Sequence, residues 1–264
     1  MEDPILFKVD QNNVAWLTLN RPQVHNALNQ EMINLVLNYL KKIQENPDVR
    51  ALVIEGEGDS FCAGADLSWM KGDSHLNESQ INEEARTLAI MLYQIDVLPM
   101  PVVCYAHGAV MGGGVGMLAC ADIVLAHPKT RFSFPEVRLG IVPALISPYV
   151  LRSIGPRQAR RYFLTGEGFD ASEAQTLGLV HSVTDNKTDG INKFIRDLLA
   201  GGPNAILKVK RLIKMLNGDV SEDLRLKTIE LIGSARASEE GQQGINAFLN
   251  KTLPPWAPQK ETDA

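Results

Sequence analysis

Short apolar runs alternate with longer stretches of helical period through the first two thirds of this chain, and no other feature narrows the fold so far. ALVIEGEG (51–58), VVCYAHGAV (102–110) and DIVLAH (122–127) read as buried strands. Between them lie helical patterns. Asn29–Gln44 places Met32, Leu35, Val36, Tyr39, Leu40 and Ile43 on one face, Glu83–Leu98 follows, and MGGGVGMLACA (111–121) is a glycine-rich turn into a helix. A further helix is expected near Pro156–Leu164. Strands separated by helices pair in parallel through crossover connections, so the core is of the α/β class. At its start, ILFKV (5–9) and VAWLTL (14–19) form a pair around the polar turn Asp10–Asn13.

From about residue 187 the strand patterns stop. FIRDLLA, AILKVKRLIKML, SEDLRLKTIELIGSARA and SEEGQQGINAFLN are amphipathic helical segments separated by Gly, Pro or Asp. Such apolar stripes need cover from the core or from another subunit. The chain therefore divides into a core, residues 1–186, and a helical C-terminal region, residues 187–264, which ends in the extended tail LPPWAPQKETDA. With 264 residues, 45% of them hydrophobic and 22% charged, it can bury a sizeable core and has no disordered composition.

The net charge of −5 and the lack of a basic run argue against nucleic acid as the partner, while leaving room for a local pocket that takes a small anion. No apolar segment reaches membrane-spanning length. The opening MEDPILFKVDQ is acidic where a secretory leader is basic. Three scattered cysteines, Cys62, Cys104 and Cys120, have no metal-type spacing and read as reduced, buried thiols. The expected location is the cytoplasm.

Two bends of small residues follow strands. One is Ala63-Gly64-Ala65-Asp66 and the other Gly112-Gly113-Gly114 at a helix start. Both present bare peptide N–H groups, the second at the positive end of a helix. Two such donors on one oxygen would stabilise an enolate or tetrahedral oxyanion. Close helix–strand packing, or the cradling of a phosphate, accounts for three glycines equally well. The dinucleotide and P-loop patterns are absent. Downstream, Glu136 stands between Pro135 and Val137 in a stretch poor in acids. Apolar walls raise a carboxyl pKa and suit it to proton transfer; the alternative is a surface pair with Arg138.

Five blocks in order settle how these features are read together: NRPQVHNAL from Asn20, FCAGADL from Phe61, GAVMGGGVG from Gly108, CADI from Cys120 and PEVRLGIVP from Pro135. The set resembles the crotonase (enoyl-CoA hydratase/isomerase) superfamily over roughly residues 5–250. The resemblance implies a spiral of repeated ββα units, with C-terminal helices that close the site and mediate trimers, often paired into hexamers. It puts the oxyanion donors on the N–H groups of Ala65 and Gly113, holding the thioester carbonyl of an acyl-CoA. Ala63, Gly64, Ala65, Asp66 and Leu67, with Gly112 and Gly113, would line the pantetheine and the start of the acyl pocket. Coenzyme A is then part of the substrate, and no metal or redox cofactor is expected. Arg21 and Lys251 are candidates for the CoA phosphates, with a solvated surface role as the alternative.

Hydratases of that family commonly use two glutamates twenty positions apart. Glu136 matches the second, and the first position holds Gly116. The stretches EVRLGIVPALISPYV and RRYFLTGEGFDASEAQTLGLVHSV look most like bacterial methylglutaconyl-CoA hydratase-type enzymes of leucine breakdown. Leu145-Ile146-Ser147 replaces the glycines usual after the proline. The expectation is a hydro-lyase adding water to a short, branched or carboxylated 2-enoyl-CoA through Glu136. A Δ3,Δ2-enoyl-CoA isomerase and a non-catalytic acyl-CoA-binding homologue are the alternatives. Arg138 facing a substrate carboxylate is the less favoured role for that residue, His107 is expected to fill a hydrogen-bonding place at a strand end, and Ser60 shows no His or Asp partner for a triad.

Overall fold

The computed structural model describes residues 3–66, 69, 78–216, 234 and 238–257. Asp10 closes the first hairpin: its Oδ1 accepts from the N–H groups of Asn12 at 2.8 Å and Val14 at 3.0 Å, and its Oδ2 from the Trp16 indole at 2.9 Å. Strands β1 (Ile5–Val9) and β2 (Val14–Leu19) pair antiparallel, with Ile5 opposite Leu19. Helix α1 (Gln30–Glu45) begins where the Asn29 side chain accepts from the Met32 N–H at 2.9 Å. It buries Met32, Ile33, Val36, Leu40 and Ile43. Leu35 and Tyr39, expected on that face, are only half-buried, and Tyr39 stacks on Phe7 with ring centroids 4.6 Å apart.

Strand β3 (Ala51–Gly56) joins β2 in parallel, and helix α2 (Glu78–Val97) carries the chain to β4 (Val102–Ala106). Here the structure departs from the sequence reading. VVCYAHGAV is two strands: the chain turns at Gly108 (φ +58°) and enters β5 (Ala109–Met111) in a second sheet. A Cβ at that glycine would run into the Asp59 backbone carbonyl, so only glycine makes the turn. Helix α3 (Gly113–Cys120), β6 (Ile123–Ala126) and β7 (Arg131–Ser133) follow. Helix α4 (Ser147–Thr165) contains the expected 156–164 segment and an earlier half, joined at a kink where Gly155 has φ +73° and Pro156 follows. Then come β8 (Gly168–Asp170), α5 (Ala171–Leu177), β9 (Ser182–Val183) and α6 (Lys187–Ala200).

The larger sheet runs β1-β2-β3-β4-β6-β9 and is parallel from β2 onward; the smaller runs β5-β7-β8. Every residue of β4 is buried, which matches its unbroken apolar sequence. Phe132, Phe134, Phe163, Tyr162 and Phe169 pack together beside the smaller sheet, with neighbouring rings 4.5 to 6.0 Å apart.

The chain forms two compact units, Met1–Leu98 with Val102–Ile191, and Pro99–Pro101 with Asn192–Ala264. In the second, α7 (Pro203–Met215) is capped by Glu240, whose carboxylate accepts from the N–H groups of Asn204 at 2.9 Å and Ala205 at 2.7 Å. Helix α8 (Glu239–Leu249) starts at that residue's neighbour, and the tail is tied down by the Trp256 indole donating to Ala200 O at 3.1 Å. The helix expected over 221–237 lies outside the described residues apart from position 234. Among the described residues no helix is long and apolar enough to cross a membrane, and no three His, Cys, Asp or Glu side chains cluster to hold a metal ion.

Candidate active site

Beyond β3 the chain runs extended between two other segments. On one side, Cys62 pairs with Val110: its N–H donates to Ala109 O at 3.3 Å and its carbonyl accepts from the Met111 N–H at 2.9 Å. On the other side Leu28 pairs with Ala65, donating to Gly64 O at 2.7 Å and accepting from the Asp66 N–H at 2.8 Å. In a parallel bridge of this form Leu28 uses both its own groups, while those of Ala65 point away from it. The Ala65 N–H therefore faces the side of β5 and the start of α3. There Gly64 (φ +94°) comes close: a Cβ on it would lie 3.1 Å from Met111 O and 3.9 Å from Gly112 Cα.

The three glycines at the start of α3 have different work. Gly114 allows close packing, since a Cβ there would lie 2.5 Å from Cys62 O. Gly112 has φ +46°, and a Cβ on it would lie 2.9 Å from Glu136 Oε1. Gly113 is the first residue of the helix, where N–H groups have no partner inside the helix. Among the described residues neither the Ala65 nor the Gly113 N–H donates to a backbone carbonyl. Both positions are half-exposed between buried neighbours. Packing thus accounts for Gly114, while Gly113 keeps an N–H that a ligand oxygen can meet.

Glu136 arrives by the register of the smaller sheet. Met111 lies opposite Ser133, and Gly112 N–H donates to Ser133 O at 3.1 Å, so the chain leaving β7 meets the start of α3. A short 3₁₀ turn, Pro135–Leu139, then presents the side chain and ends at Gly140 (φ +72°). Glu136 Oε2 is buried and has no hydrogen-bond partner among the described residues. Burial pushes this carboxyl above its ordinary range, opposed only by a hydrogen bond from its own backbone. Arg138 does not pair with it; its Nε and Cγ lie against Gly166.

The position matching the absent glutamate is filled. A Cβ on Gly116 would stand 3.0 Å from Ile146 Cβ, closer still to Ile146 Cγ2, and 3.5 Å from Leu92 Cδ2. Ile146 is 3% exposed, so this wall is apolar and sealed. Sequence reasoning picked out Ile146 as unusual but not its contact with Gly116, and it missed Leu28, which bridges Ala65 and whose Cδ1 faces Gly113.

Arg21 is committed elsewhere than to solvent. Its guanidinium donates to Ala27 O at 2.6 Å and to Asp66 Oδ2 at 3.0 Å, with 16% and 10% exposure for the two side chains, so it holds the 63–66 bend to the turn before α1. Asp66 faces that clamp. Lys251 lies exposed in the second unit with φ +55°, and Leu67 lies outside the described residues. Ser60 does have a histidine partner, His25 Nδ1 at 3.1 Å, yet its Oγ also accepts from the Ala109 N–H at 3.4 Å and the residue is 4% exposed. The pair ties loops together. Cys62 is fully buried, which pushes its thiol up to about 12 and leaves it inert. His107 Nε2 contacts Gly58 O at 2.9 Å, the strand-end role expected of it.

Over nearly its whole length the chain is similar to known proteins. The family model for enoyl-CoA hydratase/isomerase matches residues 9–259. An enoyl-CoA hydratase from Shewanella pealeana superposes with a TM-score of 0.93 at 36% identity, covering 96% of each chain. Pseudomonas aeruginosa AtuE superposes with a TM-score of 0.93 at 32% identity, over 97% of this chain and 100% of that one. The 2,3-dehydroadipyl-CoA hydratase of Escherichia coli is 29% identical over 92% of this chain and 95% of its own. With the match running almost end to end, the chain belongs to the enoyl-CoA hydratase/isomerase family.

Proposed function

We propose that this enzyme adds water to a short 2-enoyl-CoA with a branched or carboxylated acyl chain, methylglutaconyl-CoA being one candidate, and that Glu136 is its acid–base group. One observation carries the reading: a buried carboxylate oxygen without a donor, set against the glycine bend whose next N–H is open. The thioester oxygen sits between the Ala65 and Gly113 N–H groups. Water adds at C3, its proton passes to the Glu136 carboxylate, and negative charge moves onto that oxygen as an enolate. The same proton then goes from Glu136 to C2. Hydration transfers no electrons, so the chemistry calls for no redox group, and coenzyme A serves as the carrier. Support for a carboxylated acyl chain comes from the relative named for 2,3-dehydroadipyl-CoA.

Loss of the conjugated thioester absorbance across a panel of 2-enoyl-CoAs, including crotonyl-CoA and methylglutaconyl-CoA, tests this. Oxygen from heavy-oxygen water must enter the product. The apolar space beside Gly116 favours a second reading, double-bond migration by a proton shuttled through Glu136, because among the described residues its nearest neighbours are Ile146 and Leu92 rather than an acid that could hold water. Migration without incorporation of solvent oxygen would decide for the isomerase.

A further inference from the structure

The segment from Glu136 to Ile146 is fastened at both ends to one helix. At its start the Glu136 carboxylate rests against Gly112, the cap of α3. At its end Ile146 rests against Gly116, one helical turn further along. Next to Glu136, Val137 and Arg138 also lie against Gly166 at the end of α4, but further along Leu139, Ile141 and Val142 are 41 to 73% exposed, so little burial holds that stretch in place. Backbone bonds make the first half compact, with Gly140 and Ile141 N–H groups donating to Val137 O and Glu136 O. Ile146, 3% exposed and immediately before α4, is the next firm attachment.

We propose that Ile146 is a positioning residue for Glu136, seated on Gly116 so that the segment holds the carboxylate against Gly112. The proposal rests on Glu136 being the acid–base group. A glycine at 116 is then required by the seat itself: any side chain there would push Ile146 off the helix and carry the segment with it. No charged side chain among the described residues contributes to the raised carboxyl, so its titration reports how dry its surroundings are.

The experiment compares Ile146→Val, Ile146→Ala, Gly116→Ala and the double variant Gly116→Ala/Ile146→Ala. It reads kcat, KM, the pH profile and Tm, with carbon-13 NMR titration of the Glu136 carboxyl assigned by its loss in Glu136→Gln. Ile146→Val keeps the contacting Cβ and one γ-methyl and should behave as the parent. Ile146→Ala and Gly116→Ala should each lower kcat about 10- to 100-fold with little change in KM, because small misplacements of a catalytic group cost that much. Both should bring the carboxyl titration down toward the ordinary carboxylate range as water enters. In the double variant the new methyl refills the vacated space, and kcat and titration should partly recover.

A core role alone would lower Tm and leave kcat and the titration untouched, and that result overturns the proposal; so does a double variant that only sums the two losses. Should Ile146→Ala fail to fold, Gly116→Ala adds a methyl without emptying the core and decides alone. If the parent turns over no 2-enoyl-CoA, the hydration reading fails, while the carboxyl titration still judges Ile146.

Discussion

A carboxylate whose buried oxygen meets no donor is destabilised when charged, and this is the property a proton carrier needs. Glu136→Gln keeps the shape and removes the proton; kcat should fall about 10²- to 10⁴-fold. The same residue predicts a stability effect of definite sign. Its folded pKa is raised by burial. Its contribution to stability is therefore complete below the ordinary carboxylate pKa and is lost as pH rises through the folded value. Glu136→Gln should melt no higher than the parent in acid, and progressively higher toward neutral pH, in scanning calorimetry across that range; a constant or reversed difference would contradict the burial argument. The oxyanion donor can be deleted just as selectively. Gly113→Pro removes one N–H at the first helical position, where proline fits the helix. It should reduce kcat about 10²- to 10³-fold, the usual effect of losing one such donor, with a small fall in Tm as Leu28 Cδ1 gives way to the ring.

At the scale of elements, the two bends are set by contacts that do no chemistry. Arg21 spans the Ala27 carbonyl and Asp66, both ends poorly exposed. Arg21→Ala leaves Asp66 without this partner and should destabilise by on the order of 3 kcal/mol in urea unfolding. Arg21→Lys should rescue little, because an ammonium does not present a fork to two acceptors. Gly108→Ala meets both a left-handed φ and the Asp59 carbonyl, and should cost about 3 kcal/mol or more. These same elements show what the sequence could reveal. Strands β1 to β4 and β6, helices α1 to α3 and the two small-residue bends were legible because apolar period and small residues at strand ends are local signals. Gly108 was not, since one apolar run hides a change of sheet, and three-residue strands fall below any pattern. The first half of α4 was masked by Pro148, Gly155 and Pro156. Ile146 stood out only as a departure from the family's usual glycines; its contact, with the distant Gly116, is set by tertiary packing and has no local signal. Arg21 read as a phosphate contact or surface residue, because a buried partner such as Asp66 is set by tertiary contact rather than spacing.

At the scale of the whole molecule, all the proposed chemistry comes from the α/β unit, and the C-terminal helices pose a different physical problem. Helix α7 leaves Val209 53%, Ile213 65% and Leu216 46% exposed, the last just past the helix end, at the i, i+4, i+7 spacing of one face. An apolar stripe of that kind favours burial by roughly 25 cal/mol per Å². We expect further copies of the chain to cover this face, as the trimer or hexamer implied by the family resemblance would. Light scattering should then give three or six chains per particle. Ile213→Lys places a charge in the stripe and should shift the particle toward single chains at low micromolar concentration, with Tm falling and becoming dependent on concentration. Lys193→Glu changes an exposed charge on α6 and should leave the mass unchanged. A parent that scatters as one chain, or an Ile213→Lys variant of undiminished mass, would mean that α7 is not where the copies meet.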